Sequence, residues 1–353
     1  MHFVPIFLCF AITFGLTAQT HAETRVGVVA PLGGPNIVLG QQMIDGARVA
    51  AKANGVVLYI VDDQCGAESG QQAAQALIDA KVDVALGFLC TETLEAALPA
   101  LTRENIPVIT SGVRSNGVTD RHQRTGWLVW RVAPRADAEL EAVSNILVPR
   151  WRSVLFAIVD DGTIHGRELA ESLRLGAELA GLKPVLVDTY RPQSENQIGL
   201  VGRLRRAGAT HVFVGGDRDD VAILARDAAG LDYDLTIAGS DALRAPGDVP
   251  LAAGTLMVGV PEWADGASEA ELAEFREADV IPEGYVIPTH MAVEIAAQAL
   301  RKAQGDNLPT DQILRIGTFN TRAGSFRFND KGDPTENPFR LLRYDGARFL
   351  PLE

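Results

Sequence analysis

Cysteine, histidine and aromatic residues are scarce in this chain of 353 residues, with three Cys, six His and 6% Phe, Trp and Tyr. The histidines, at 2, 21, 122, 165, 211 and 290, do not fall at ligand spacing with one another or with Cys, so no metal site is expected. Gly-x-Ser-x-Gly, His-Glu-x-x-His and a phosphate loop ending in Gly-Lys-Ser/Thr are absent. Gly33-Gly34 lacks the Gly-x-Gly-x-x-Gly spacing that seats a dinucleotide, so this loop reads as a turn and no cofactor is expected. With no nucleophile beside a base, an enzyme is the weakest functional class. Positive charge is in deficit too, 32 Lys and Arg against 45 Asp and Glu, for a net charge of −13. That balance carries no basic nucleic-acid footprint and disfavours anionic surfaces.

Residues 1–22 contain no Asp, Glu, Lys or Arg. Phe3 to Leu16 is an apolar run broken only by Pro5, Cys9, Thr13 and Gly15, and Thr20-His21-Ala22 resembles a small-residue cleavage site. The run is shorter than the roughly 20 residues a bilayer span requires, so it reads as a secretory signal peptide and the mature chain as periplasmic. The alternative is a buried N-terminal strand or helix. Removal of the signal takes Cys9 with it and leaves Cys65 and Cys90. An even count in an exported chain suggests one Cys65–Cys90 disulfide, the alternative being two buried free thiols.

What the chain does contain is alternation. Strand patterns at Arg25–Ala30, Val56–Val61, Val82–Phe88 and Ile106–Thr110 are separated by helical patterns at Gln41–Ala53, Glu68–Lys81 and Thr91–Glu104, the last with a kink or break at Pro99. A second series follows Arg131, with strands at Ser153–Val159, Pro184–Thr189, Thr210–Gly215 and Leu235–Ala238 and helices at Arg167–Ala180, Gln197–Ala207 and Asp219–Ala229. Alternation of this kind predicts βαβ units, and the length predicts two lobes. The tail adds a strand at Gly254–Val260, a short helix at Ala270–Ala278, a long one at Tyr285–Ala303 that is expected to pack back on an earlier sheet, and strands at Gly324–Asn329 and Arg340–Tyr344. The acidic clusters Asp160-Asp161, Asp217-Arg218-Asp219-Asp220 and Asp232–Asp234 read as helix caps and solvated loop ends. In open α/β sheets ligands sit at the strand ends, where helix N-termini offer free N–H groups.

Three segments carry a resemblance. Ala30-Pro31-Leu32-Gly33-Gly34-Pro35 runs on to Leu39-Gly40-Gln41-Gln42 and Asp45-Gly46-Ala47. Asp62-Asp63-Gln64-Cys65 goes with Gly87-Phe88-Leu89-Cys90-Thr91. Phe328-Asn329-Asp330-Lys331-Gly332-Asp333 forms a late turn. With these, the chain resembles the type I periplasmic solute-binding proteins of the branched-chain amino acid group. The resemblance implies an α/β fold of two Rossmann-like lobes with parallel-type sheets, joined by a hinge of three crossovers. It places lobe one at residues 24–131 plus 264–335 and lobe two at 132–263 plus 336–353.

The resemblance also implies a ligand set. Thr91 matches the hydroxyl that holds a ligand carboxylate, at a helix N-terminus whose dipole favours an anion. Gly112 and Val113 would offer backbone groups, while Arg114 stands where the family carries a hydroxyl. Asp241 matches the acid that answers the ligand ammonium, a charge that must be compensated when buried. His165 and Asp217 replace two aromatic residues, and Leu39 a third. Thr91 as a plain N-cap and Asp241 as a plain loop acid are the alternatives. Arg114 and Asp217 are read either as contacts to a charged ligand side chain or as a pair with each other across the cleft. The function implied is capture of an amino acid or related small amide and its delivery, by a monomer, to ABC permease subunits. The alternative is a ligand-sensing receptor module of the same fold.

Overall fold

The computed structural model describes residues 24–352; the expected signal peptide, with Cys9, lies outside the described residues. Strands β1 (Arg25–Ala30), β2 (Val57–Asp62), β3 (Val84–Gly87), β4 (Val108–Thr110) and β5 (Val129–Arg131) form a parallel sheet in the order β2-β1-β3-β4-β5. The run Val-Gly-Val-Val-Ala of β1 is buried throughout, as a parallel strand covered on both faces must be. The strand order reverses between β1 and β3, which opens a crevice beyond their carboxyl ends.

A second sheet holds β6 (Phe156–Asp160), β7 (Leu186–Thr189), β8 (His211–Gly215), β9 (Thr236–Gly239) and β10 (Leu256–Gly259), all parallel. Between β10 and the last two strands in sequence run β11 (Thr318–Thr321) and β12 (Gly324–Arg327), paired only with each other. Strands β13 (Arg340–Tyr344) and β14 (Phe349–Pro351) then join the second sheet antiparallel, giving the order β14-β13-β10-β9-β8-β6-β7. The strand expected over Gly324–Asn329 is thus a hairpin arm outside both sheets.

Helices Ala136–Arg150 and Thr310–Ile316 are not expected from the sequence pattern, and two of the expected helices are corrected. The first helix spans Ile37–Asn54 and starts ahead of Gln41, because Pro35 opens the one-turn helix Gly34–Asn36 that leads straight into it. Helix Thr91–Arg103 runs through Pro99 without breaking; Pro99 lies on the exposed face, where the backbone carbonyl left without a helical donor is open to solvent. The long helix Val286–Asp306 packs back as expected: Ala292, Val293, Ile295, Ala296 and Ala299 share a core with Val26, Val28, Leu86 and Met43. Gly46 makes this packing possible, since a Cβ there would collide with the Val286 carbonyl.

The chain passes from the first sheet to the second after β5, returns after β10, and passes again before β13. Two of these passages are tied by a buried ion pair. Arg131 and Asp333, at 0% and 1% exposure, meet at 2.7 Å, and Arg135 reaches the other Asp333 oxygen at 2.9 Å. Among the described residues no helix is long and apolar enough to cross a membrane.

Candidate functional site

On the first sheet, the loops after β2 and β3 are joined by the Cys65–Cys90 disulfide, with Cα atoms 5.2 Å apart. Cys65 and Phe88 both adopt left-handed backbone conformations, at φ 57° and 58°. Such conformations are costly for residues with side chains and cluster where a loop is shaped for function. The turn carries the chain directly into helix Thr91–Arg103, whose N-cap residue is Cys90 and which has no side-chain cap. Its first N–H groups therefore have no capping acceptor. Thr91 is half-buried, and its hydroxyl has no partner among the described residues.

The loop after β4 is built from inside. Thr110 Oγ1 donates to the Phe88 carbonyl at 3.0 Å and accepts the Val113 N–H at 3.1 Å. Arg131 donates to the Val113 carbonyl. Both backbone groups of Val113 thus have partners within the protein. Gly112 is buried, and a Cβ on it would lie 2.8 Å from Leu89 Cα.

Arg114 leaves this loop toward the second sheet. Its guanidinium lies 5.6 Å from the centroid of the Phe339 ring and 3.8 Å from Glu139 Oε2, while its Nε is buried without a hydrogen bond. Arg114 does not pair with Asp217. Asp217 is an exposed N-cap of helix Arg218–Gly230, and its carboxylate has no partner among the described residues. Tyr285, at the start of the long helix, is half-buried; burial raises its pKa, and the Arg114 charge pulls it back.

The second-sheet side centres on Glu139, which the sequence reading passed over. It lies on helix Ala136–Arg150 in step with Ala142, Val143 and Leu147, so it is an acid on a buried apolar stripe. That stripe was the available signal. Glu139 Oε1 accepts the Asp241 N–H at 2.9 Å, and His165 Nε2 stands 3.7 Å from Oε2. Burial raises the Glu139 pKa above its ordinary value; the Asp241 N–H, Arg114 and His165 oppose this, and the Asp241 charge adds to it. His165 itself is 56% exposed, on helix Ile164–Leu179, whose start is fixed by Thr163 Oγ1 accepting the Gly166 N–H. Asp241 begins a short turn after β9, where its Oδ1 faces Arg244 Nε at 3.5 Å and the Val260 N–H at 3.3 Å. Leu39 is 36% exposed on the first turn of helix Ile37–Asn54, beside the exposed Ile37 and Val38.

The structure thus brings Arg114, His165 and Asp241 around one unforeseen acid. Thr91, Gly112 and Val113 belong to the first-sheet loops, while Leu39 and Asp217 stand apart from these contacts. The site presents hydroxyl, N–H and guanidinium groups from the first sheet and carboxylates from the second. Such an arrangement offers donors and acceptors of the kind that orient a small polar molecule.

The chain has relatives among known proteins. The chain is 23% identical over 364 residues to Leu/Ile/Val-binding protein homolog 3 of Brucella melitensis, covering 98% of each. Among solved structures it is similar to an ABC transporter substrate-binding protein from Desulfitobacterium hafniense in complex with Leu, at a TM-score of 0.69 and 19% identity, covering 94% of this chain and 100% of that one. A solute-binding protein of an ABC transporter from R. palustris, in complex with benzoate, is similar at a TM-score of 0.65 and 16% identity, covering 94% and 96%. These two likenesses establish the fold. A family model described as periplasmic binding protein matches residues 23–347, and the chain accordingly belongs to the periplasmic binding protein family.

Proposed function

We propose that this protein is the exported receptor of an ABC importer, capturing an amino acid or related small amide between its two sheets and presenting it to permease subunits. The observation that carries this reading is the opposition of groups across the crevice. The Thr91 hydroxyl and Arg114 come from the first sheet, and Glu139 and Asp241 from the second-sheet side. A zwitterion needs both, because a buried carboxylate requires donors and a buried ammonium requires a compensating acid. The naming of the Brucella relative as a Leu/Ile/Val-binding homologue supports the same class.

In this reading the lobes comprise residues 24–131 plus 264–335 and 132–263 plus 336–353. They close about the ligand as hinged bodies. Thr91 and the Gly112 loop hold the carboxylate, Asp241 belongs to the ammonium seat, and Leu39, His165 and Asp217 line the rim. A second reading, an aromatic carboxylate, draws on Arg114 and on the benzoate-bound neighbour. It leaves Glu139 and Asp241 without a cation from the ligand.

Thermal shifts of the protein purified from the periplasm test the proposal, against the twenty common amino acids, small amides and benzoate. A ligand at 100 times its Kd adds about 2.7 kcal/mol to the native state. A stabilising amino acid or amide is the expected result. Stabilisation by benzoate alone would transfer the assignment to the second reading, and no shift from any compound would overturn both.

A further inference from the structure

Glu139 and Arg114 form an ion pair that neither partner completes. The contact is 3.8 Å, beyond the 2.7–3.2 Å of a hydrogen bond, and the His165 contact at 3.7 Å is equally long. Yet Glu139 is 5% exposed, and Arg114 Nε is buried without a bond. A buried carboxylate held this loosely is unusual, since desolvated charges are stabilised only when fully hydrogen-bonded. One of its oxygens is satisfied: Oε1 takes the Asp241 N–H at 2.9 Å. Oε2 has only the two distant cations.

Asp241, the acid matched by family pattern, is somewhat better served, with contacts at 3.5 and 3.3 Å. Its Oδ1 already faces Arg244 and the Val260 N–H, and Arg244 in turn is anchored to Glu262 and the Val260 carbonyl. Asp241 therefore has a cation on its own loop, three residues away at 3.5 Å, whereas the cations nearest Glu139 Oε2 come from other segments and stand at 3.7 and 3.8 Å.

We infer that Glu139 is the specificity-determining acid of the site. Its Oε2 accepts the protonated amine of an α-amino acid whose carboxylate, seated at Thr91, also takes up the Arg114 guanidinium, so that Arg114 swings away from Glu139 and the ligand replaces the 3.8 Å contact and completes both halves. Asp241 acts through its backbone N–H, which fixes the Glu139 carboxylate, more than through its side chain. The inference rests on the proposed amino acid class and names the group that reads the amine.

Calorimetric titration of the twenty common amino acids, each binder paired with its analogue lacking the amine, tests this on the wild type, Glu139→Gln and Asp241→Asn. The glutamine keeps an acceptor for the Asp241 N–H, removes the charge and puts an amide donor where Oε2 accepts. Glu139→Gln is expected to weaken the binding amino acid by about 30-fold or more, and Asp241→Asn by less, because truncating one partner of a buried charge pair costs most where that pair is desolvated. The amine-free analogue should bind Glu139→Gln at least as well as it binds the wild type. Glu139→Asp, which keeps the charge, should recover part of the loss and guards against a folding artefact. An amino acid that binds the wild type and Glu139→Gln alike but fails with Asp241→Asn overturns the inference alone. No binding of any amino acid to the wild type overturns the proposed class, and the inference with it.

Discussion

At the carboxyl end of the first sheet, the acids Asp62 and Asp63 accept the Leu32 and Cys65 N–H groups, and the groups left open toward the crevice are a hydroxyl, helix N–H groups and a guanidinium. At the same end of the second sheet most acids are also committed to their loops. Asp160 accepts the Gly162 N–H, Asp161 the Thr163 N–H and hydroxyl, and Asp220 the Gln193 N–H. Asp160 and Asp161, each 7% exposed, are buried loop pins and not the solvated ends their sequence suggests. Among the described residues, open oxygens remain on this side at Glu139 Oε2, at Asp217 and at Asp220 Oδ2, the last buried without a partner. An acid-rich sequence thus says little about a binding edge, and the oxygens left after the backbone has been served say a great deal. The first sheet keeps an open oxygen too, Asp63 Oδ2, but its edge adds a hydroxyl, helix N–H groups and a guanidinium, so it is the donor-rich surface and the second sheet the acceptor-rich one.

The largest effect should come from separating the two surfaces. Arg131 ties the passages between sheets through Asp333 and also donates to the Val113 carbonyl, so it holds the donor loop and the hinge together. Arg131→Met leaves Asp333 buried and short of its partner, an expected loss of about 3–5 kcal/mol in urea unfolding. A loss below about 1 kcal/mol would mean that Arg135 and Thr119 suffice for Asp333, and that the two surfaces are not coupled through this pair.

Smaller effects confined to the donor surface sharpen the contrast. The disulfide closes a loop with a sequence separation of 25, for which the chain-entropy model gives roughly 3 kcal/mol. Cys65→Ser with Cys90→Ser should lose about that much stability and weaken carboxylate-bearing ligands, measured by unfolding and by titration; unchanged affinity would remove Thr91 from the seat. Gly112→Ala places a Cβ against Leu89 Cα at 2.8 Å and the Phe88 carbonyl at 2.9 Å, both backbone atoms. We expect a cost of about 1–3 kcal/mol with displacement of the Arg114 loop, visible as lower Tm and affinity together. Full affinity would show that the loop's position is not what binds.

How far these surfaces were legible from residues alone differs between them. β1, β6 and β8 announce themselves because strands buried on both faces read as unbroken apolar runs. The disulfide and Thr91 followed from the Cys count and from likeness to a family. The start of the first helix was hidden by Gly40, which looks like a breaker; it is a helical residue pressed against the Pro31 carbonyl, where a Cβ has no room. The antiparallel arrival of β13 and β14 depends on a hinge that no local periodicity encodes. Glu139 was missed because its helix also carries Asp137 and Glu141, so a buried acid and solvated acids look alike until the packed face is known.

The smallest effect bears directly on the acceptor surface. Burial lifts the Glu139 carboxyl above its ordinary 4.5, so the folded chain holds this proton more tightly than the unfolded chain does. Folding is therefore favoured at low pH, and this contribution is lost as pH rises from about 4.5 through the raised folded value, after which it stays lost. Glu139→Gln removes that slope. Without ligand, the variant should be more stable than the wild type by about 1 kcal/mol at neutral pH, with the difference shrinking toward pH 4.5. Urea unfolding at the two pH values measures it. With a bound amino acid the order should invert, because the ligand amine supplies the hydrogen-bonded cation that Arg114 and His165 supply only at a distance. If the ligand-free wild type is instead the more stable at neutral pH, those two cations already satisfy Glu139. The second sheet would then have no open acceptor at Glu139, and the contrast between the two surfaces would fail at the residue that defines it.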